Sequence, residues 1–163
     1  MRLVAHLVRR AAGPAPDSVT LDYEGRFLRR RLLTTDGGSP LQVDLAEAVS
    51  LVEGDAFETV DGGLVAVRAA PEPLAEVAAE GAALARLAWH VGNRHAPAQI
   101  GDGRLWIRRD HVLEAMLARL GASVRPVMRA FNPEGGAYGH GRTHGHQHGG
   151  ATDDPHGSAR DPA

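Results

Sequence analysis

Apolar and polar residues alternate through much of residues 17–72. Val19, Leu21 and Tyr23 alternate with Thr20, Asp22 and Glu24, the two-residue period of a half-buried strand. Gly25-Arg26 makes a short turn, and Phe27-Leu28 leads through Arg29-Arg30-Arg31 to Leu32-Leu33. Asp36-Gly37-Gly38 is a turn, after which Leu41, Val43 and Leu45 alternate again. Gly54-Asp55 and Asp61-Gly62-Gly63 are further turns around the short strand Leu64–Val67. Short strands with turns at this spacing predict an all-β unit, a small barrel or a pair of packed sheets.

The pattern changes at Pro71-Glu72-Pro73, where two prolines stiffen the chain and remove donors, which predicts a domain boundary. From Leu74 to Val91 propensity favours helix, and Leu84, Leu87, Ala88 and Val91 fall on one stripe. Gly81 weakens the first half, which leaves a strand open as an alternative for Leu74–Val77. Gly92 and Pro97 end the helix. Ala98-Gln99-Ile100, the turn Gly101-Asp102-Gly103 and Arg104–Ile107 read as a hairpin. Asp110 is the N-cap of a second helix with Val112, Leu113, Met116, Leu117 and Leu120 on its apolar face, ended by Gly121. Val124–Phe131 closes the series as a strand, with Pro126 placing it at an edge. The predicted order β-α-β-β-α-β is the split βαβ pattern of a ferredoxin-like fold. The fold class is therefore α+β: an N-terminal all-β domain over residues 1–72, a ferredoxin-like domain over 73–138 and a disordered His-rich tail over 139–163. The tail lacks the apolar content to offset ordering entropy.

Composition narrows the chemistry. The 163 residues contain no cysteine, which excludes disulfides and thiolate metal sites. Any transition metal must be held by imidazole, carboxylate, backbone or water, which favours Ni, Zn, Cu or Co. The net charge of −2 makes no electrostatic case for nucleic acid or an anionic membrane. The apolar start, Met1 to Arg10, is too short for a signal peptide, and no apolar run approaches the roughly 20 residues of a membrane span. A soluble, cytoplasmic protein is expected.

Histidine is the residue type with chemical potential. His90 and His95 are five apart, about 140° around a helix, so a regular helix cannot bring both to one ion. If His95 is a ligand, it is a single one from this segment, and a two-fold axis would double it. It also fits a helix C-terminus simply by favourable interaction with the dipole. His111, just after the N-cap, is either a ligand in its neutral form or an ordinary surface histidine. The tail carries His140, His144, His146 and His148, alternating with Gly and polar residues, a compositional metal-binding signal. A coil from Phe131 to His144 spans on the order of 20 Å, which holds tail imidazoles at an effective concentration on the order of mM. Metal-binding imidazole must be deprotonated, so acidification below about pH 6 weakens binding. Arg29-Arg30-Arg31 reads as the solvated face of a strand.

Three motifs resemble the urease accessory protein UreE family. Trp89-His90-Val91-Gly92-Asn93-Arg94-His95-Ala96-Pro97-Ala98-Gln99 is similar to its HLGNRHxPxQ signature. Asp110–Leu117 is similar to its DHVLxxML helix, and Phe131–Tyr138 to its FxPExGAY segment. The resemblance implies a cytoplasmic nickel metallochaperone for urease maturation, with a peptide-binding-type β domain and a ferredoxin-like metal-binding domain. It implies a homodimer with His95 of each chain at the interface, His140 or His144 completing the site, and the accessory GTPase and urease maturation complex as partners. His111 matches a secondary metal-binding histidine of some members, but the companion histidine two residues earlier is Arg109 here. Ni²⁺ is the implied ion, with Zn²⁺, Cu²⁺ or Co²⁺ as competitors in vitro.

Two other readings use the same residues. A storage protein would sequester metal on its tail and deliver it to no one. A metallohydrolase would use His95 and His111, but needs a third ligand and an open position, and the sequence offers no clear third ligand or general base.

Overall fold

The computed structural model describes residues 2–135, and the tail histidines lie outside them. The architecture is mixed α+β: ten strands and two helices among the described residues. Six strands form one sheet: β1 (Leu3–Arg9), β2 (Asp17–Leu21), β3 (Phe27–Thr34), β4 (Pro40–Ser50), β5 (Ala56–Thr59) and β6 (Leu64–Ala69). Their order is β2-β6-β5-β1-β4-β3, with β1–β4 and β2–β6 parallel and the other pairs antiparallel. One core draws on every strand, through Ala5, Val19, Leu28, Val43, Phe57 and Val67. The two edge strands meet at the Asp36 turn, where Asp36 N–H donates to Ser18 O at 2.7 Å and the Ser18 and Thr20 hydroxyls donate to the Asp36 carboxylate.

Strand β1 extends the β region to the start of the chain, beyond the expected 17–72. The register between β1 and β5 shifts between Ala5 and Leu7. That bulge breaks the two-residue period on which a strand is read. A second shift, between Leu28 and Arg30 of β3, explains the poor alternation through Arg29-Arg30-Arg31. These arginines are exposed, and Arg30 pairs with Asp44 at 2.6 Å.

The second sheet contains β7 (Pro71–Ala78), β8 (Ala98–Gly101), β9 (Arg104–Arg108) and β10 (Ser123–Ala130), in the order β10-β7-β9-β8. Helix α1 (Ala82–Gly92) connects β7 to β8, and α2 (His111–Arg119) connects β9 to β10. Leu74–Val77 is strand, which settles the open alternative. These four residues are buried, and β7 pairs on both sides from Leu74 onward, so tertiary pairing overrides helix propensity. Pro71-Glu72-Pro73 is the first stretch of β7. There β7 pairs only with β10, so the prolines face no missing partner on the other side. Pro126 does lie in an edge strand.

Helix α1 buries Leu87 and Val91, with Leu84 and Ala88 packed against the same cluster, as the stripe predicts. Helix α2 buries Leu113 and Leu117, but Val112 (65%) and Leu120 (47%) are exposed, so its apolar face is narrower than expected. No described helix is long and apolar enough to cross a membrane.

On the sheet face away from this cluster, Glu76 is buried. It accepts from Arg125 Nε at 2.8 Å, Arg104 Nη1 at 3.2 Å and Trp106 Nε1 at 3.0 Å. Burial pushes the Glu76 carboxyl up, and the hydrogen bonds from Arg125 and Trp106, with the charges of Arg125 and Arg104, outweigh it and hold the group below its ordinary value. A carboxyl lowered on folding stabilises the fold above its unfolded value of about 4.3 and loses that contribution as pH falls through the folded value. Urea midpoints from pH 7 to pH 3 should therefore fall more steeply for the wild type than for Glu76→Gln. Parallel profiles would show that Glu76 is not a source of the acid sensitivity.

The two sheets are joined by a polar and aromatic seam. Arg26, only 2% exposed, donates through Nη2 to Phe131 O, through Nη1 to Asn132 Oδ1 at 3.1 Å and through Nε to Asp22 O at 3.3 Å. Tyr23 stacks edge-on against Phe131 with ring centroids 5.3 Å apart, and Tyr23 N–H donates to Glu72 at 2.7 Å. Arg108 reaches Glu24 at 2.5 Å.

Candidate metal-handling site

His95 follows the end of α1 in a left-handed backbone conformation, with φ 53°. Its N–H donates to Gly92 O at 2.9 Å, and Ala96 N–H donates to Val91 O at 3.3 Å. These are the paired bonds of a Schellman terminator, with His95 in the position where glycine is usual. Gly92, expected to end the helix, is instead its last helical residue. Arg94 turns back to donate to His90 O at 2.9 Å and satisfies a terminal carbonyl. The result is an exposed imidazole held on a tightly bonded turn. A non-glycine residue in this conformation stores backbone strain on the order of 1–2 kcal/mol.

His90 stays in α1, half-buried, with its ring edge-on to Trp89 at 5.0 Å. It packs against the Trp89 ring. His111 is exposed at the first position of α2. Asp110 caps that helix by accepting from Val112 and Leu113 N–H, each at 2.9 Å, and Glu114 accepts from Asp110 N–H at 3.0 Å. Arg109 pairs with Glu114 at 2.8 Å, and that hydrogen bond raises the Arg109 pKa further. A guanidinium is thus anchored two residues before His111, where it opposes a dication. Among the described residues no three His, Asp or Glu side chains converge as a metal cluster. His140, His144, His146 and His148 lie outside the described residues.

Sequence reasoning missed the setting of His95. It lines a cleft of about 350 Å³ between the two sheets, with Tyr23, Arg26, Leu51 and Val52 on one side and Ala96, Pro97 and Ile100 on the other. Asn132, Pro133, Glu134 and Gly135 complete the lining. Asn132 N–H donates to Gln99 Oε1 at 2.9 Å, and Glu134 N–H donates to Ala98 O at 2.8 Å. The chain therefore enters its tail from the cleft that His95 lines. Local periodicity carries no signal for this, because the contacts join residues more than thirty positions apart.

An exposed imidazole fixed at a helix terminus beside an open cleft, in a mixed α+β protein, can offer one nitrogen to an incoming ion. Residues 4–70 match the family model described as "UreE urease accessory protein, N-terminal domain", and residues 72–158 match "UreE urease accessory protein, C-terminal domain". The chain is 56% identical over 134 residues to the urease accessory protein UreE of Ruegeria pomeroyi, covering 82% of this chain and 89% of that one. It is 57% identical over 137 residues to the protein of the same name from Paracoccus denitrificans, covering 84% and 86%. It is 58% identical over 137 residues to that of Cereibacter sphaeroides, covering 84% and 74%. The chain belongs to the UreE family of urease accessory proteins.

Proposed function

We propose that this protein is a cytoplasmic, homodimeric metallochaperone, not an enzyme, that donates Ni²⁺ during maturation of the urease active site. The observation that carries the reading is the placement of His95: an exposed imidazole on a strained turn, lining the cleft from which the His-rich tail departs. One imidazole binds a metal weakly, which suits a carrier that must release its cargo. Two copies across a two-fold axis give a shared site without a second ligand from either segment. The surface beside His95 fits such an axis. Arg94, Ala96, Val112, Met116 and Arg119 line a shallow groove, and Val112 is largely exposed. The β10-β7-β9-β8 order with two intervening helices supports a ferredoxin-like C-terminal domain.

Tail imidazoles at His140, His144, His146 and His148 add to the core site or feed it, and the anchored Arg109 makes His111 the weaker candidate. Zn²⁺, Cu²⁺ and Co²⁺ compete in vitro by the usual ordering of divalent affinities. The accessory GTPase and the urease maturation complex receive the ion. Nickel titration with oligomeric state followed alongside tests this. The full chain and a chain ended after Tyr138 should both bind about one core ion per dimer, and His95→Ala should bind none there. A truncated dimer without a specific site, together with a silent His95→Ala, would leave only tail-based sequestration.

A further inference from the structure

The face of the second sheet that turns away from the helices holds unbalanced positive charge. Arg104 of β9 and Arg125 of β10 reach the buried Glu76 carboxylate from either side of β7. One carboxylate offsets only one of these two cations. Arg129, farther along β10, lies over the Trp106 ring, with its guanidinium carbon 3.8 Å from the ring centroid. A ring holds a guanidinium in place without cancelling its charge. Among the described residues no carboxylate pairs with Arg129. At the seam end of the same face, Arg108 meets Glu24 and Glu72. The excess is therefore concentrated around Glu76, where three guanidinium groups surround one carboxylate, in a chain of net charge −2. The Arg104 and Arg125 side chains remain 44% and 63% exposed. Glu76 and Trp106 hold three long side chains in position, so a ligand that pairs with them pays less to order them. The Arg29-Arg30-Arg31 run has no such support: Arg30 already pairs with Asp44, and among the described residues no ring backs the others.

We propose that this sheet face, centred on Arg104, Arg125 and Arg129, is a docking surface for an acidic segment of a partner protein. Charge complementarity selects the occupant. The planar fork of arginine matches a carboxylate in bidentate geometry, so Asp and Glu side chains of the partner complete the pairing that Glu76 begins. Helices α1 and α2 pack against the opposite face of the sheet, through Leu87, Val91, Leu113 and Leu117. A partner seated on the arginine face therefore leaves the helix side uncovered. The pairing requires no metal ion and stands apart from the His95 reading.

Fluorescence anisotropy of a labelled poly-glutamate peptide, added to the metal-free full-length protein, tests the surface. At about pH 8, where histidine is neutral, binding should saturate at low ionic strength and weaken with added salt. Arg129→Gln should weaken it roughly tenfold. Arg129 makes no bond to Glu76, so this variant leaves the Glu76 network in place. Arg31→Gln should bind as the wild type does. The two tryptophans supply a second measurement by NMR. The Trp106 indole N–H should shift as peptide is added, and that of Trp89, exposed on α1, should not. Unchanged affinity in Arg129→Gln, a loss in Arg31→Gln, or a silent Trp106 indole would each overturn the proposal. So would an oligothymidylate of equal charge that displaces the peptide and binds more tightly, which would make the occupant a nucleic acid.

Discussion

Arg26→Met should destabilise the protein by on the order of 3 kcal/mol, because it removes a buried guanidinium and strips donors from one buried and two part-buried acceptors while leaving those acceptors in place. The Arg26 side chain donates to Phe131 O, Asn132 Oδ1 and Asp22 O, and Phe131 is fully buried. Methionine fills a similar volume, so the loss reports on hydrogen bonding more than on a cavity. Arg26→Lys should recover only part of the loss, since an ammonium cannot span the same fork. The effect should reach the cleft beside His95 as well as stability. Asn132 is held from one side by Arg26 and from the other by Gln99, and it also donates to Glu53 at 3.0 Å. Loosening it loosens the wall from which the tail departs. Urea unfolding of the three proteins checks the first point, and a loss below about 1 kcal/mol would mean that Arg26 is not the chief tie between the sheets.

Elements whose signal is local are readable in advance. The α1 stripe, the Asp110 cap, the hairpin turn at Gly101-Asp102-Gly103 and Pro126 at an edge each depend on a few consecutive side chains. Strand β1 escapes the same method because its bulge hides the period, and β7 because a central position overrules its propensity. Val112 and Leu120 read as core because helical spacing does not say how wide the covering sheet is. The site divides in the same way. The helical spacing of His90 and His95 is legible, but α1 ends at Gly92, so a regular helix does not describe where His95 sits. The left-handed turn at His95 is not legible, since the nearby Gly92 is the residue that sequence rules nominate as the terminator. The cleft depends on Arg26 meeting Phe131, a contact across 105 positions that no window contains.

His95→Gly should separate stability from function in opposite directions. At φ 53° the histidine pays a steric cost of about 1–2 kcal/mol that glycine avoids. Glycine in turn adds about 0.5–1 kcal/mol of chain entropy to the unfolded state. The net expectation is a stability gain of up to about 1.5 kcal/mol, while the proposed core metal ligand is lost. Nickel affinity at that site should fall at least about a hundredfold, about 2.7 kcal/mol. His95→Ala loses the same ligand but keeps a Cβ in the left-handed position, so it should lose nickel without the gain. Comparing the two isolates the strain from the imidazole. If His95→Gly is instead less stable than wild type, the imidazole makes stabilising contacts, and its conformation is a product of packing. If the gain appears, the chain holds a histidine where glycine would fold better. That is the balance expected when a residue is kept at a helix terminus for the ion it presents rather than for the turn it makes.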